Sequence, residues 1–141
     1  MVRSRGSVRA VRIKLTSVPV SDQAQALVFY TEVLGFVKRR DEPAGEFRVL
    51  TVESREPSGG VELLLEPNAH PASRAYQEAL FADGIPAALF FVDDLDREYG
   101  RLTALGVRFR GEPTRTEWGY QATLEDTCGN LIALHEEQNE E

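Results

Sequence analysis

The sequence predicts an α+β fold: two tandem βαβββ modules forming a half-open, barrel-like sheet around a cleft. Three observations predict it. The stretch VSDQAQALVFYTEVLGF at 20–36 returns in fainter form as VDDLDREYGRLTALGV at 92–107, with Asp22 matched by Asp94 and Gly35 by Gly106. Glu42-Pro43 is matched by Glu112-Pro113 further on. Each copy also orders its signals alike, as apolar strand, capping aspartate, amphipathic helix, glycine stop and strand pattern. Function is expected where the halves face each other.

Residues 12–20 alternate and end near Pro19, which suits a strand end or an edge. Ser21-Asp22 offers the cap that satisfies the first free helix N–H groups. Ala26, Leu27, Phe29, Tyr30, Val33 and Leu34 then recur at helical spacing as one apolar stripe, and Gly35 is the left-handed stop. Strands are expected at 36–40, 46–54 and 60–66, separated by turns at Ala44-Gly45 and Glu56-Pro57-Ser58-Gly59. A short helix follows, entered by His70-Pro71 and ended by Asp83-Gly84. The almost wholly apolar 85–92 reads as a strand covered on both faces. Asp94 caps a helix whose Leu95, Tyr99, Leu102 and Leu105 point inward. Strands at 107–110, 118–124 and 130–135 complete the second half, the last two joined by the 126–129 turn.

The organisation is thus a flexible basic tail at 1–11, a first module at 12–66 and a linker with a short helix at 67–84. A second module at 85–137 and an acidic tail at 138–141 follow, with 12–137 as one domain. With four strands per half and one helix on one face, each sheet keeps a free face, and two such sheets can curl around a shared cleft.

The chain has 141 residues, 42% of them hydrophobic and 28% charged, enough to build a core. Its net charge of −7 argues against a general affinity for nucleic acid. Arg3, Arg5, Arg9 and Arg12 form the only basic run, read as a frayed tail leading into the first strand. No apolar run approaches the roughly 20 residues of a membrane span, and there is no signal-peptide core. A single cysteine excludes an internal disulfide and suits a cytoplasmic protein. That residue, Cys128, has no basic neighbour in sequence to activate it. No glycine pattern forms a phosphate loop.

FYTEVLGF at 29–36, the paired V-x-D strand ends and DTCGNLIAL at 126–134 resemble the vicinal oxygen chelate superfamily of glyoxalases, extradiol dioxygenases and bleomycin-resistance proteins. VELLLEPNAHP followed by ALFADGIPA is similar to a bacterial glyoxalase-like subgroup. The resemblance covers about 12–137 and implies a homodimer, in some members with exchanged modules.

Metal-using members carry four His- or Glu-type ligands on inward strand positions. The resemblance places these positions at Leu15, Glu62, Ala87 and Ala133. One carboxylate among leucine and alanines cannot hold a divalent ion, which asks for about three protein donors. No metal and no cofactor are therefore expected, and the metal-dependent activities of the superfamily are not implied. Glu62 remains the candidate catalytic residue, as a general base if desolvated. Its bland alternative is an exposed glutamate, or one paired with Arg48 or Arg108. Leu89 and Phe91 share the parity of Ala87 and would line the cleft floor, while Ala88, Phe90 and Val92 pack under a helix. Trp118 and Tyr120, at period two, read as an aromatic wall or as ordinary core, and Phe47 reads as core. His135 points to the side of Ala133, to lend a hydrogen bond or to sit solvated at a strand end.

The leading expectation is a metal-independent binder of an apolar or cationic small molecule, with ligand residues Leu15, Glu62, Ala87, Leu89, Phe91, Trp118, Tyr120, Ala133 and His135. The alternative is a lyase- or isomerase-type enzyme using Glu62 as base, with a metal gathered from both chains. A third reading is a partner-binding domain with no ligand.

Overall fold

The computed structural model describes residues 10–55 and 59–137. Most of the basic tail, the Glu56-Pro57-Ser58 part of one expected turn and the acidic tail at 138–141 lie outside the described residues. In chain order the elements are β1 (Leu15–Val20), α1 (Gln23–Val28), β2 (Val37–Ala44), β3 (Phe47–Glu53) and β4 (Glu62–Pro67). Then come α2 (Pro71–Ala82), β5 (Ala88–Phe91), α3 (Leu95–Ala104), β6 (Thr114–Thr116), β7 (Gly119–Glu125) and β8 (Leu131–Glu137). They make two four-stranded sheets ordered β1-β4-β3-β2 and β5-β8-β7-β6, repeated in topology and not closed into a barrel. In each sheet the first strand is an edge, parallel to the strand that pairs with it, and the other pairings are antiparallel.

The repeat is visible in the caps. Asp22 Oδ1 accepts from Gln25 N at 3.0 Å, and Asp94 Oδ1 from Arg97 N at 3.2 Å. Gly35 (φ +94°) and Gly106 (φ +91°) turn the chain out of the two helices in the left-handed region that a side chain would strain. The copies differ at one point. Beyond Val28 the first helix widens into a π turn at Phe29–Val33, where Leu34 N reaches back to Phe29 O at 2.9 Å. At α2, His70 Nδ1 caps Ala72 N at 3.0 Å and Pro71 sits in the first turn.

Each helix covers one face of its sheet. Val18, Val20, Leu50, Val52 and Leu65 are buried with Ala26, Phe29 and Tyr30, while Ala122, Leu124, Ile132 and Leu134 are buried with Leu95 and Leu102. Each large side chain so buried contributes about 1.5–3 kcal/mol. Phe90 of β5 joins the two sets, its ring 5.2 Å from Phe36 and 6.5 Å from Tyr30.

Four expectations need correction. The apolar 85–92 yields only the short β5, and it is covered on one face: Leu89 is 46% and Phe91 60% exposed. A continuous apolar run cannot show that one side lacks a cover. Leu105 is 56% exposed because it is the C-cap of α3, past the last inward turn. Residues 107–110 form no strand, only one bridge between Phe109 and Leu124. The fourth strand of the second half is instead the polar β6, three residues with no alternation to betray it. Phe47, read as core, is 39% exposed at the start of β3. Among the described residues no helix is long and apolar enough to cross a membrane.

Candidate functional site

The faces turned away from the helices are the candidate binding surfaces, and strand register says what stands on them. Leu15 and Glu62 are direct partners across β1 and β4. Leu89 and Ala133 are partners across β5 and β8, and Ala87, just before β5, donates its N–H to Leu131 O at 2.8 Å. Of the four positions only Leu15 and Glu62 pair directly; Ala133 faces Leu89 instead, and Ala87 lies one step before β5. An open cavity of about 250 Å³ at the junction of the halves is lined by Glu62 together with Leu89 and Phe90. Leu15, Ala87 and Ala133 do not line it.

Glu62 is not the isolated carboxylate expected for a general base. Thr51 Oγ1 donates to its Oε1 at 2.7 Å, and Arg40 Nε stands 3.5 Å from the same oxygen. Neither arginine named from sequence is the partner: Arg48 binds Asp41 bidentately, at 3.0 and 2.8 Å. That pairing draws the Asp41 carboxyl below its ordinary value. Beside Glu62, Glu53 pairs with Arg39 at 3.5 Å. The donor set does not fit a metal: leucine and two alanines offer no lone pair, and the one carboxylate is engaged. Among the described residues, no three His, Cys, Asp or Glu side chains group to hold an ion.

The open face of the second sheet is different. Leu89, Phe91, Glu117, Trp118, Gln121, His135 and Glu137 line an open groove of about 660 Å³. Trp118 is 75% exposed and lies in the turn between β6 and β7, one residue before the strand it was expected to occupy. Tyr120, its expected partner, stands on the helix side of the sheet. Its hydroxyl donates to Asp96 at 2.6 Å and Arg115 lies over its ring, so it makes no wall with Trp118. Moving Trp118 into the turn removes the shared parity.

His135 is buried rather than solvated. Its Nε2 lies 3.2 Å from Trp118 O, and Nδ1 lies 3.1 Å from the Gln121 side chain. A backbone carbonyl can only accept, so Nε2 carries a proton. Phe91 meets the imidazole edge-on at 5.4 Å. Sequence reasoning missed Glu117, Gln121 and Glu137; period two from His135 leads to Glu137, but Glu117 is legible only once the turn is placed.

A bolt of buried polar groups holds the halves together behind the faces. Asp126 accepts from Tyr30 Oη at 2.7 Å, Cys128 N at 2.7 Å, Asn130 N at 3.0 Å and Asn130 Nδ2 at 2.8 Å. Burial first, then the Asp126 charge, pushes the Tyr30 phenol well above its usual range. The same two causes push the Cys128 thiol up to about 11. That is the reverse of a nucleophile's environment.

Two four-stranded sheets of like topology, each with a helix on one face and the other face open, define the class of fold. The chain belongs to the Glyoxalase/Bleomycin resistance protein/Dioxygenase superfamily, whose family model matches residues 12–134. It is 49% identical over 124 residues to the uncharacterized protein YurT of Bacillus subtilis (strain 168), covering 88% of this chain and 98% of that one. Among solved structures it is similar to UcmS2, with TM-score 0.77 and 31% identity over 90% of this chain and 98% of that one. It is also similar to TnmS3, an antibiotic binding protein from Streptomyces sp. CB03234, with TM-score 0.73 and 32% identity over 93% and 99%.

Proposed function

We propose that this chain binds an apolar small molecule without a metal, on the open face of its second half. The observation that carries the reading is the groove in which Leu89, Phe91 and Trp118 stand exposed together. Large apolar side chains clustered on a concave surface, with a few polar groups among them, are the usual make-up of a ligand site. Leu15, at 55% exposure, adds to the apolar surface of the first half, while Ala87 and Ala133 add room without donors. The description of TnmS3 as an antibiotic binding protein supports the same reading. A general-base role for Glu62 is opposed by the two partners its Oε1 already has. The homodimer implied by the family belongs to this proposal too, since a second copy would give the exposed Leu15 and Val61 a cover.

A thermal-shift panel of cationic antibiotics and aromatic metabolites tests the binding. Stabilisation by at least one class is expected, and Trp118→Ala should weaken that ligand about tenfold, with little change in the melting midpoint of the free protein. A panel silent throughout would sink the reading. Stoichiometric nickel, zinc or iron in protein purified without added metal would overturn its metal-free part.

A further inference from the structure

A surface helix ordinarily docks through an apolar stripe, and α1 and α3 do so. The helix that links the halves does not. Of the 12 residues of α2 only Gln77 is buried, whereas α3 buries Leu95 and Leu102 and α1 buries Ala26. Leu80 and Phe81 are half-buried, and Tyr76 is 64% exposed. The Phe81 ring lies under the Arg110 guanidinium, 4.9 Å from its centroid, and that arginine is already held by Glu125 at 3.0 Å.

What holds α2 is one amide. Gln77 Nε2 shares its hydrogens among Pro19 O at 2.9 Å, Cys128 O at 3.0 Å and Asn130 Oδ1 at 3.2 Å. Its Oε1 accepts from Asn68 Nδ2 at 2.8 Å. Gly129 leaves the room this amide fills, since a Cβ there would lie 2.8 Å from Gln77 Nε2. Other bonds of the segment stay within it: His70 Nδ1 accepts from Ala72 N, and Arg74 Nη1 donates to Ala69 O at 2.7 Å. Beyond either end the backbone is fixed again. Asn68 N donates to Val20 O at 3.1 Å, and Ala87 N to Leu131 O at 2.8 Å. Gly84, at φ +72° with open space about it, supplies a pivot at the far end.

We propose that α2 is a strap with a single clasp: it detaches and redocks as a unit, hinged near Asn68 and Gly84, while both halves stay folded and joined. Detachment uncovers little apolar surface, which is the main force that keeps the other helices in place. A helix of this length is marginal in water on its own, so α2 unwinds once the clasp opens. The halves remain held by the Tyr30–Asp126 bond, the Asn130–Pro19 bond and the Phe36–Phe90 contact, none of which involves α2. Because α2 lies in the one chain connection between the halves, its release lets them adjust to each other about those contacts. The strap thus sets their spacing, whether or not a ligand is bound.

Hydrogen exchange of the full chain, followed residue by residue by NMR, tests this. Amides of 75–82 should exchange at least about a hundredfold faster than the slowest amides of the central strands β3, β4, β7 and β8. Their rates should barely respond to urea below the unfolding transition, because that response scales with the surface an opening exposes. Gln77→Ala should speed exchange in 75–82 about tenfold and alter the central strands by less than about threefold. Asn68→Ala, which removes one clasp bond from outside the helix, should do the same by about two- to fivefold. Amides of α2 as slow and as urea-sensitive as those of the strands would overturn the strap. So would a Gln77→Ala protein in which helix and strands speed up equally, since α2 would then belong to the cooperative unit. Unchanged exchange in 75–82 after that substitution would overturn the clasp. Should Gln77→Ala fail to fold, α2 would be structural rather than detachable, unless Asn68→Ala and the urea response of the unaltered protein both match the values above.

Discussion

The open faces of the two halves share a backbone plan and differ in chemistry. On the first, Arg40, Glu62 and Thr51 satisfy one another, and Arg39 pairs with Glu53. On the second, Leu89, Phe91 and Trp118 stand exposed, and the two carboxylates among them have no cationic partner among the described residues. Duplication fixed the strand order and caps while leaving each face to its own side chains. The first face pairs its charges internally, and the proposed ligand site lies on the second. Fold likeness speaks to the shared plan; only the residues speak to the site.

The halves are also unequal in what holds them together. The hairpin between β7 and β8 reaches across to the first half: Cys128 O accepts from Ser21 N at 3.1 Å, and Asn130 Nδ2 donates to Pro19 O at 2.7 Å. Gln77 of α2 bonds Pro19 O and Cys128 O at 2.9 and 3.0 Å. Asp126 anchors that hairpin with no exposure at all. Asp126→Ala would leave the Tyr30 hydroxyl and two backbone N–H groups buried without an acceptor, so a loss of about 3–5 kcal/mol is expected in denaturant unfolding. A loss under about 1 kcal/mol would show that Asp126 is not what anchors the hairpin.

The bolt also sets a pH limit. The folded-state pKa of Cys128 is about 11, above its ordinary 9.0. Its contribution to stability is therefore complete below about pH 9 and is lost as pH rises toward 11. Tyr30 is shifted in the same direction and extends the loss to still higher pH. Cys128→Ala should flatten the early part of the alkaline limb. In the native protein, thiol labelling should run about a hundredfold slower than in denaturant, as a shift of about two pKa units implies at a given pH. Equal rates would mean the hairpin opens freely.

Much of this was legible in sequence, because the repeat carries periodic apolar faces and punctuating residues. Asp22 and Asp94 cap their helices, Gly35 and Gly106 stop them, and Pro71 opens α2. The side of Phe90 also follows from parity. What escaped was set by contacts distant in sequence. Arg40 reaches Glu62 only because β2 and β4 flank β3, with a register shift in β2 between Lys38 and Arg40. Tyr120 was misplaced because alternation alone does not say which face of β7 the helix covers; Tyr120 shares the parity of the buried Ala122 and Leu124, and Gln121 is the partner of His135. The polar β6 has no apolar pattern to read, and with it the Glu117–Trp118 turn stayed hidden.

The smallest expected effect sharpens the comparison of faces most directly. Glu62→Gln removes the charge facing Arg40 but keeps an oxygen that can accept from Thr51. Arg40 is 55% exposed and the pair is 3.5 Å apart, so stability should change by less than about 1 kcal/mol. Whatever ligand the panel yields, its affinity should change by no more than about twofold, because a groove built from Phe91, Trp118 and His135 does not touch this carboxylate. A tenfold loss would move the site to the cavity between the halves, where Glu62 and Leu89 do meet. The first face would then be a binding surface whose charges are reserved for a ligand, and the contrast between the halves would reverse.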